Sequence, residues 1–454
     1  MRTKIFLLFT FLTLQSNAQQ CWGKISSGAY HTIAIAGDGT LWSWGYNNSG
    51  QLGDGTTTNR TVPTKIGTDT DWVAVGTGYY HSFGIKSNGT LWAWGYNYYG
   101  QLGSGSNGNG TDLLFPKQIG ADTNWKTASG GGNFTLAVKT DGTMWSTGKN
   151  SDGQLGINTN TDSKVFVQIG TGTTWDKVFC GGAHSMALTT GGILYLWGDN
   201  ASGQLGFQHY TDRKIPTVFA SNISIKTVAG NGSSTIAIGT DGKIWRAGLS
   251  CPIPNSNYQM KEYVTSPANW TNVSIGDNFT IATKSDGSLW TIGNNNNGLF
   301  GISTPSTSTS FVQVATSIDE NNIDTNFYSS FYLSSNKVLY SSGQNHVGQL
   351  ANGTTTDSNL FSGITCPSEI VLSSEEFDSN NTFSIYPNPV KNTLNIALEN
   401  NSEIQKVVIY DVVGKQVKFQ EGNTSSIAVD DLKSGFYILE VSIDGKSETK
   451  KFVK

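Results

Sequence analysis

The stretch DGTLWSWGYNNSGQLGDGT at residues 38–56 decides the fold, because the chain repeats it. Residues 88–106 read NGTLWAWGYNYYGQLGSGS, in the same order of residue types. Both copies surround Trp and Leu, which a folded chain buries, with Gly, Asn and Asp, which suit the positive φ angles of tight turns. The sequence therefore predicts a structural unit that recurs about every 50 residues.

Seven copies of this unit can be aligned. The strand-like part of the phrase recurs as DGTLW (38–42), NGTLW (88–92), DGTMW (141–145), GGILY (191–195), DGKIW (241–245), DGSLW (286–290) and NKVLY (336–340). The loop part, GQLG, stands at 50–53, 100–103, 153–156 and 203–206 and becomes GLFG at 298–301 and GQLA at 348–351. The fifth copy has LSCPIP in its place.

The 13 Trp residues occupy only three positions of the repeat. They open a unit (Trp22, Trp72, Trp125, Trp175, Trp270), close the strand-like phrase (Trp42, Trp92, Trp145, Trp245, Trp290) or lie two residues beyond it (Trp44, Trp94, Trp197). Large apolar side chains at such regular positions are typical of a core. We predict that they serve packing rather than binding.

Each unit is predicted to hold four short strands. In the second copy these are WVAVGTG (72–78), HSFGI (81–85), GTLWAWG (89–95) and FPKQIG (115–120), in which apolar residues alternate with polar or small ones. A single four-stranded sheet cannot bury both faces, whereas seven sheets in a closed ring cover one another. The sequence therefore predicts an all-β fold with a seven-bladed β-propeller over residues 19–366.

Composition excludes some partners. The formal net charge is -4, and no block of Lys or Arg stands out, so no nucleic-acid partner is expected. Residues 1–18 have the features of a signal peptide, with Arg2 and Lys4 before the apolar run IFLLFTFLTL (5–14) and Ala18 as the predicted last residue removed. The run is too short to span a bilayer, so we expect no membrane span in the mature chain. We also expect the exported protein to be a monomer.

Export permits disulfides, and the chain has four cysteines, which allow three pairings. Cys21 precedes the first predicted strand and Cys366 follows the last. A Cys21–Cys366 bond would tie the two ends of the ring and stabilise it by roughly 4–5 kcal/mol. Cys180 and Cys251, in adjacent units, would form the second pair.

The repeats resemble those of the regulator of chromosome condensation family, on the strength of DGTLWSWGYNNSGQLGDG and the upstream GAYHTIAI (28–35). The resemblance covers roughly residues 21–365 and implies a rigid disc whose faces bind other proteins. Kelch and WD-type repeats lack this pattern. Family members include an exchange factor for a small GTPase and a secreted inhibitor of β-lactamases. The exchange activity is not expected here, because its loop residues have no match in this chain.

The composition changes after Cys366. Residues 367–380 are a predicted acidic linker, and residues 381–454 contain no Trp and no GQLG. Segments such as TLNIAL, KVVIYDVVG and GFYILEVSI alternate as in a small Ig-like β-sandwich. FSIYPNPVKNTLNI (383–396), VVIYDVVGKQV (407–417), LKSGFYILEV (432–441) and the terminal KKFVK resemble the type IX secretion sorting domain. The resemblance implies contact with the secretion machinery through residues 381–454, and release or surface attachment.

No residue pattern predicts catalysis, a metal site or a cofactor. His31, His81 and His184 share one repeat position, where other copies have Phe or Ser, so we expect hydrogen-bonded core histidines rather than ligands. CGGAHS (180–185) places a Cys near a His, but both fall on ordinary strand positions. No G-x-S-x-G, H-E-x-x-H or P-loop motif is present.

Tyrosines point to a binding surface. In an up-and-down blade the first and third turns lie on the same face, so we expect one aromatic face over the first two blades: Tyr30, Tyr46, Tyr79, Tyr80, Tyr96, Tyr98 and Tyr99. Tyr is a frequent anchor in protein and sugar recognition. The sequence favours an exported binding module for a protein or a glycan. Two alternatives stay open, a secreted hydrolase with carboxylates on a propeller face and an inhibitor or regulator of an exported enzyme.

Overall fold

The computed structural model describes residues 22–219, 224–249, 259–263, 268–364, 383–398, 403–411, 416–422, 424–433, 435–443 and 446–454. The predicted signal peptide, the 367–380 linker, Cys21, Cys251 and Cys366 lie outside these ranges. The chain divides into two compact units, one within Met1–Pro367 and one within Ser368–Lys454.

The first unit is the predicted seven-bladed propeller, built from seven antiparallel four-stranded sheets in sequence order. The blades are β1–β4 (Trp22–Ser27, His31–Ala36, Leu41–Gly45, Arg60–Ile66), β5–β8 (Trp72–Thr77, His81–Lys86, Leu91–Gly95, Leu113–Gln118), β9–β12 (Trp125–Gly130, Phe134–Lys139, Met144–Gly148, Ser163–Gln168), β13–β16 (Trp175–Cys180, His184–Thr189, Leu194–Gly198, Arg213–Val218), β17–β20 (Ile225–Gly230, Ser234–Gly239, Ile244–Gly248, Lys261–Tyr263), β21–β24 (Trp270–Ile275, Phe279–Lys284, Leu289–Asn294, Thr307–Ala315) and β25–β28 (Ile318–Thr325, Ser329–Ser334, Leu339–Gly343, Ser358–Ile364). A short 3-10 helix, Asn296–Gly298, interrupts the sixth blade's last loop.

The DGTLW phrase is a hairpin turn that also fixes an indole. Gly39 has φ +80°, which a side chain would oppose. The Asp38 carboxylate accepts hydrogen bonds from the Thr40 amide at 3.0 Å and hydroxyl at 2.6 Å. The indole Nε1 of Trp42 donates to the same hydroxyl at 2.8 Å. The phrase recurs because turn, hydroxyl and indole depend on one another.

The GQLG loop connects its own blade to the next one by hydrogen bonds. Asn47 is buried in the loop, where its Oδ1 accepts from the Leu52 amide at 2.9 Å and its Nδ2 donates to the Thr56 carbonyl at 3.0 Å. The Gln51 carbonyl then accepts from the Trp94 indole of the following blade at 2.9 Å. The loop is therefore scaffold, and the two turn phrases of the repeat serve the ring.

Interblade packing buries the tryptophans, as predicted. Between the first two blades, Ile33 and Leu41 form one apolar cluster with Trp72 and Trp94. Nine of the 13 indoles are buried, and the other four, which all close the strand-like phrase, are half-buried: Trp92, Trp145, Trp245 and Trp290. The place of a Trp in the repeat thus indicates whether it packs between two blades or within one blade.

Three blades insert a lysine between two of these indoles. Lys139 Nζ lies 4.7 Å from the Trp125 ring and 4.1 Å from the Trp145 ring, and it pairs with Asp122 at 2.9 Å. Lys86 and Lys284 occupy the same place in the second and sixth blades. Sequence reasoning did not predict this cation–π clasp, in which the lysine lies 14 residues after one tryptophan and 6 residues before the other.

The ring closes without exchanging strands between the chain ends. Trp22 and Trp44 of the first blade share a cluster with Phe331 and Leu339 of the seventh. The Trp44 indole donates to the Gln349 carbonyl at 3.1 Å, which repeats the loop-to-blade contact seen elsewhere. The last and first blades therefore contact each other through the same loop-to-indole hydrogen bond and apolar packing as other neighbouring blades.

The second unit contains two antiparallel sheets that share one core. Its strands are β29–β35: Phe383–Tyr386, Thr393–Leu398, Ile404–Asp411, Gln416–Glu421, Ser426–Ala428, Phe436–Ile443 and Lys446–Val453. They pair in the orders β29-β30-β33 and β32-β31-β34-β35. Phe383, Leu394, Val407, Leu439 and Phe452 are buried between the sheets. The Ig-like description of this tail stays a prediction.

Candidate binding face

The first turn of each blade brings one residue to the propeller axis. These seven inner residues, in blade order, are Ala29, Tyr79, Gly132, Gly182, Gly232, Asp277 and Phe327. Backbone hydrogen bonds link neighbouring turns, for example Ala29 N to Tyr79 O at 3.1 Å and Asp277 N to Phe327 O at 3.0 Å. The mouth of the central channel is thus a braced ring in which the side chains differ from blade to blade.

Tyr79 covers this mouth. A side-chain carbon on Gly182, two blades away, would lie 2.4 Å from the Tyr79 Oη, and one on Gly132 would lie 3.2 Å from its ring. The Phe327 ring packs edge-to-face on Tyr79 at 4.7 Å between centroids. The glycines of the third and fourth blades therefore leave the room that the Tyr79 ring fills.

Aromatic rings continue outward from the mouth on the same face. Tyr30 lies 6.0 Å from Phe327, 6.1 Å from Tyr328 and 6.4 Å from Tyr46, and Tyr46 lies 6.0 Å from Tyr80. We call these residues the central aromatic cluster: Tyr30, Tyr46, Tyr79, Tyr80, Phe327 and Tyr328. All six are half-buried, so they combine fixed positions with accessible ring surface.

Four phenols of this cluster have a raised pKa: Tyr30, Tyr79, Tyr80 and Tyr328. Burial raises the pKa of Tyr79 to about 12, and the nearby Asp277 charge adds to the effect. Burial likewise raises the pKa of Tyr30, Tyr80 and Tyr328, with a contribution from neighbouring Tyr or Asp277. The Tyr328 side chain also hydrogen-bonds Asp277. The cluster therefore presents apolar rings, hydroxyl groups and one carboxylate.

The other three predicted tyrosines form a separate group in the second blade's last loop, which we call the peripheral tyrosines: Tyr96, Tyr98 and Tyr99. Tyr96 and Tyr98 stack at 6.4 Å, and Tyr98 meets Tyr99 edge-on at 5.0 Å. The Lys149 ammonium lies 5.7 Å from the Tyr99 ring. Tyr98 is the most accessible ring of this group, at 41% exposed.

Sequence reasoning missed Asp277, Phe327 and Tyr328. The signal was available, because NFYS (326–329) aligns with GAYH (28–31) and GYYH (78–81) in the first turn of a blade. The same turn-counting that selected the tyrosines of the first two blades selects these residues in the sixth and seventh. Only ring closure brings the seventh blade next to the first.

Beneath the aromatic mouth lies a polar cavity of about 320 Å³, lined by the first strands of all seven blades. The Asp324 carboxylate faces it and accepts hydrogen bonds from the Ser27 amide at 2.7 Å and the Thr325 amide at 2.8 Å. Because the surrounding protein disfavours charge, the pKa of Asp324 is raised to about 6. Ser27 belongs to the first blade, so this carboxylate also joins the two ends of the ring.

The three equivalent histidines are buried and hydrogen-bonded, as predicted. His31, His81 and His184 each place Nε2 at 2.8–2.9 Å from a Ser or Thr hydroxyl of the next blade. Ser82 and Thr135 donate their own protons to loop carbonyls, so His31 and His81 donate from Nε2. Burial lowers the pKa to about 3 for His31 and His81 and to about 4 for His184.

Cys180 faces the cavity as a free thiol, with Sγ 3.2 Å from the Ser129 carbonyl oxygen. Burial raises the pKa of this thiol to about 12. His184 Nε2 is instead bonded to Thr235, so CGGAHS does not assemble a nucleophile with a base. Cys251 lies outside the described residues, as do Cys21 and Cys366, so the Cys21–Cys366 pairing stays a prediction. The free Cys180 thiol does not show the predicted pairing with Cys251.

Among the described residues, no group of three or more His, Cys, Asp or Glu side chains could hold a metal ion. In the same part of the chain, no helix has the length and apolar character needed to cross a membrane.

Comparison with known families agrees with this architecture. The sequence profile of the RCC1-like domain matches residues 13–220, and that of the regulator of chromosome condensation (RCC1) repeat matches residues 270–299. The secretion system C-terminal sorting domain matches residues 384–454. The chain therefore carries RCC1-type repeats and a type IX C-terminal sorting domain. It is thus an exported propeller, destined for secretion or the cell surface.

Individual relatives match over shorter stretches. The ultraviolet-B receptor UVR8 of Arabidopsis thaliana is 32% identical over 140 residues, which is 30% of this chain and 32% of the receptor. The mitochondrial RCC1 domain-containing protein RUG3 of Arabidopsis thaliana is 42% identical over 43 residues, 10% of each chain. The chain therefore aligns with about a third or less of these relatives.

Solved structures share the fold. Human WBSCR16 superposes with a TM-score of 0.65 at 21% identity, over 72% of this chain and 94% of that one. A chain from the structure of Kap60 bound to yeast RCC1 (Prp20) gives 0.62 at 14% identity, over 88% and 97%. At these identities the likeness concerns architecture alone.

Proposed function

We propose that this exported propeller is a binding module that recognises a protein or a glycan through the face bearing the central aromatic cluster. The observation that supports this most strongly is the contiguity of six aromatic rings contributed by three blades, the seventh, first and second. These rings lie outside the interblade clusters that stabilise the disc, except where Tyr328 touches one edge. Half-buried Tyr and Phe are efficient anchors, because their positions are already fixed before binding.

The scaffold supports this role. The Trp, GQLG and DGTLW positions serve the ring, and the neutral buried histidines serve interblade contacts. The first turns, in contrast, differ in sequence from blade to blade. A rigid disc with a differentiated rim suits recognition, since little order has to be imposed when a ligand binds.

The test is ligand capture by the full secreted chain. The chain is immobilised and exposed to culture fluid from its own source and to a glycan array, beside two variants. One variant replaces Tyr30 and Tyr80 with Ser, and the control replaces the exposed Ile215 of β16 with Ser. We expect the Tyr30→Ser/Tyr80→Ser variant to lose at least tenfold in affinity, a typical effect for two anchor side chains.

The peripheral tyrosines provide a second variant, Tyr96→Ser/Tyr98→Ser/Tyr99→Ser. Because these rings lie on a loop and contact mainly one another, we expect it to fold with a melting temperature within a few degrees of the parent. A large fall in melting temperature would assign the three rings to the core. Undiminished capture by both Tyr variants would reject the aromatic face as the binding surface. An exported enzyme among the captured proteins would indicate an inhibitor or regulator.

A further inference from the structure

Asp277 introduces a charge into the otherwise uncharged aromatic mouth. It occupies the inner position of the sixth blade, next to Phe327, to whose carbonyl its amide donates at 3.0 Å. Its carboxylate hydrogen-bonds the Tyr328 side chain, and its charge acts on Tyr30 and Tyr79 as well. Asp277 is therefore adjacent to Phe327, whose ring contacts Tyr79 of the second blade at 4.7 Å and Tyr30 of the first at 6.0 Å.

Aromatic rings and a carboxylate also occur together elsewhere in the protein, in the lysine clasps. In the lysine clasps, an ammonium lies 4.0–5.0 Å from two indole rings. In two of them, those of Lys86 and Lys139, a carboxylate completes the site at 2.7–2.9 Å. Rings supply the negative face of their quadrupole, and the carboxylate supplies the charge. A cation is the group that fits such a site.

At the channel mouth, the described part of the chain supplies no such cation. Within the described residues, no Lys or Arg forms an ion pair with Asp277 or lies over a ring of the central aromatic cluster. On the far side of the mouth, Gly132, Gly182 and Gly232 carry no side chain at all. The mouth is thus aromatic and acidic on one side, and on the other side Gly132 and Gly182 leave the space that the Tyr79 ring occupies.

We propose that Asp277 and the rings of Tyr30, Tyr79, Phe327 and Tyr328 bind a cationic side chain, lysine or arginine, of a protein ligand. This inference rests on the proposed function and narrows its ligand to a protein with an exposed basic residue. A neutral sugar would use the rings but gain nothing from the carboxylate charge. A cation gains from both, and its charge is opposite to the net negative charge of the chain.

The experiment measures binding of fluorescein-labelled hexalysine to the full secreted chain by anisotropy at low ionic strength. Unlabelled hexalysine, hexaglutamate and cellohexaose serve as competitors. The variant is Asp277→Asn, which can still accept a hydrogen bond from Tyr328. Asp199→Asn is the matched control, because it removes the same charge from a loop on the same face, where Asp199 caps the Ala201 amide.

We expect Asp277→Asn to weaken hexalysine binding about fivefold or more and Phe327→Ala about threefold, with less than a twofold effect of Asp199→Asn. Hexalysine should compete, and hexaglutamate and cellohexaose should not. The proposal is overturned if hexalysine does not bind, if the two Asp variants weaken it equally, or if cellohexaose competes better. Should the Tyr30→Ser/Tyr80→Ser variant still lose its captured ligand, only the cationic specificity would fall, and the binding face would stand.

Discussion

Acidification from pH 7 to pH 5 is expected to destabilise the propeller by about 5 kcal/mol, because three histidines are buried without charge. In the folded state the pKa is about 3 for His31 and His81 and about 4 for His184, against an ordinary value of 6.5. Below pH 6.5 the unfolded chain binds protons that the folded chain does not. The stabilisation is therefore complete above pH 6.5 and is lost as the pH falls towards the folded values.

The magnitude follows from these shifts. Between pH 7 and pH 5 each histidine costs about 2 kcal/mol of unfolding free energy, at 1.36 kcal/mol per pH unit of differential protonation. Asp324 acts in the opposite direction, since its folded pKa of about 6 exceeds the ordinary 3.8. Its carboxylate costs stability above pH 6, and that cost is relieved as the pH falls, which returns about 1 kcal/mol.

The assay is urea unfolding at pH 7 and at pH 5, followed by Trp fluorescence. All 13 Trp residues lie before residue 291, so the signal reports on the propeller and not on the tail. In the variant His81→Gln the amide can keep the donor to Thr135 but cannot titrate. We expect the net loss between the two pH values to shrink by about 2 kcal/mol, roughly two fifths of it, because one of the three histidines no longer titrates.

His346→Gln is the control, because the His346 side chain is 66% exposed and should not contribute to the loss. A parent protein that loses less than about 2 kcal/mol between pH 7 and pH 5 would refute the reasoning. An unchanged loss in His81→Gln would do the same, since it would place the titrating groups elsewhere.

Two further predictions concern the scaffold, each read by urea unfolding at pH 7. Lys139→Ala should lower the free energy of unfolding by about 1–2 kcal/mol, because it removes the ammonium of a cation–π clasp. The control Lys126→Ala removes an exposed ion pair and should lower it by under about 0.5 kcal/mol. Equal losses in the two variants would contradict a stabilising role of the clasp. Gly181→Ala should lower the free energy of unfolding by more than about 2 kcal/mol, since the new carbon would lie 2.1 Å from His184 Cε1. The control Gly172→Ala, whose new carbon would lie 3.4 Å from its nearest neighbour, should leave stability nearly unchanged. An unchanged stability of Gly181→Ala would show that the His184 ring can move.

The sequence predicted the ring because each repeated residue has a repeated contact. Trp94 recurs where the Gln51 carbonyl of the preceding loop needs a donor, and His31 recurs where Ser82 of the next blade presents a hydroxyl. Periodicity makes such contacts visible without coordinates, since every unit meets its neighbour in the same way. Thr280 shows the converse. The preceding blade lacks GQLG, and among the described residues this buried hydroxyl finds no partner.

The binding face was predicted only in part, for a reason that is also physical. Tyr30 and Tyr80 could be placed on one face by counting turns, but Phe327 lies about 300 residues along the chain from them and joins them only through closure. The lysine clasps were missed because Lys86 and Trp92 belong to different strands whose side chains meet only once the register is known. The interblade contacts of the repeat could be predicted, whereas the clasps, although present in three blades, and the contacts made once at ring closure could not.

The inner position of the first turn differs more from blade to blade than the position before it does. In five of the seven first turns a glycine precedes the inner position, and a side chain there would collide with the His or Phe ring of the same blade, as at Gly28 and Gly78. The inner position contributes backbone hydrogen bonds to the neighbouring turns, which any residue can make. Its side chain contacts only other residues of the mouth, as where Gly132 and Gly182 make room for the Tyr79 ring. An aromatic pair and an acid stand on one side of the channel and three glycines on the other, and this asymmetry is what a ligand could recognise: Ala29, Tyr79, Gly132, Gly182, Gly232, Asp277 and Phe327.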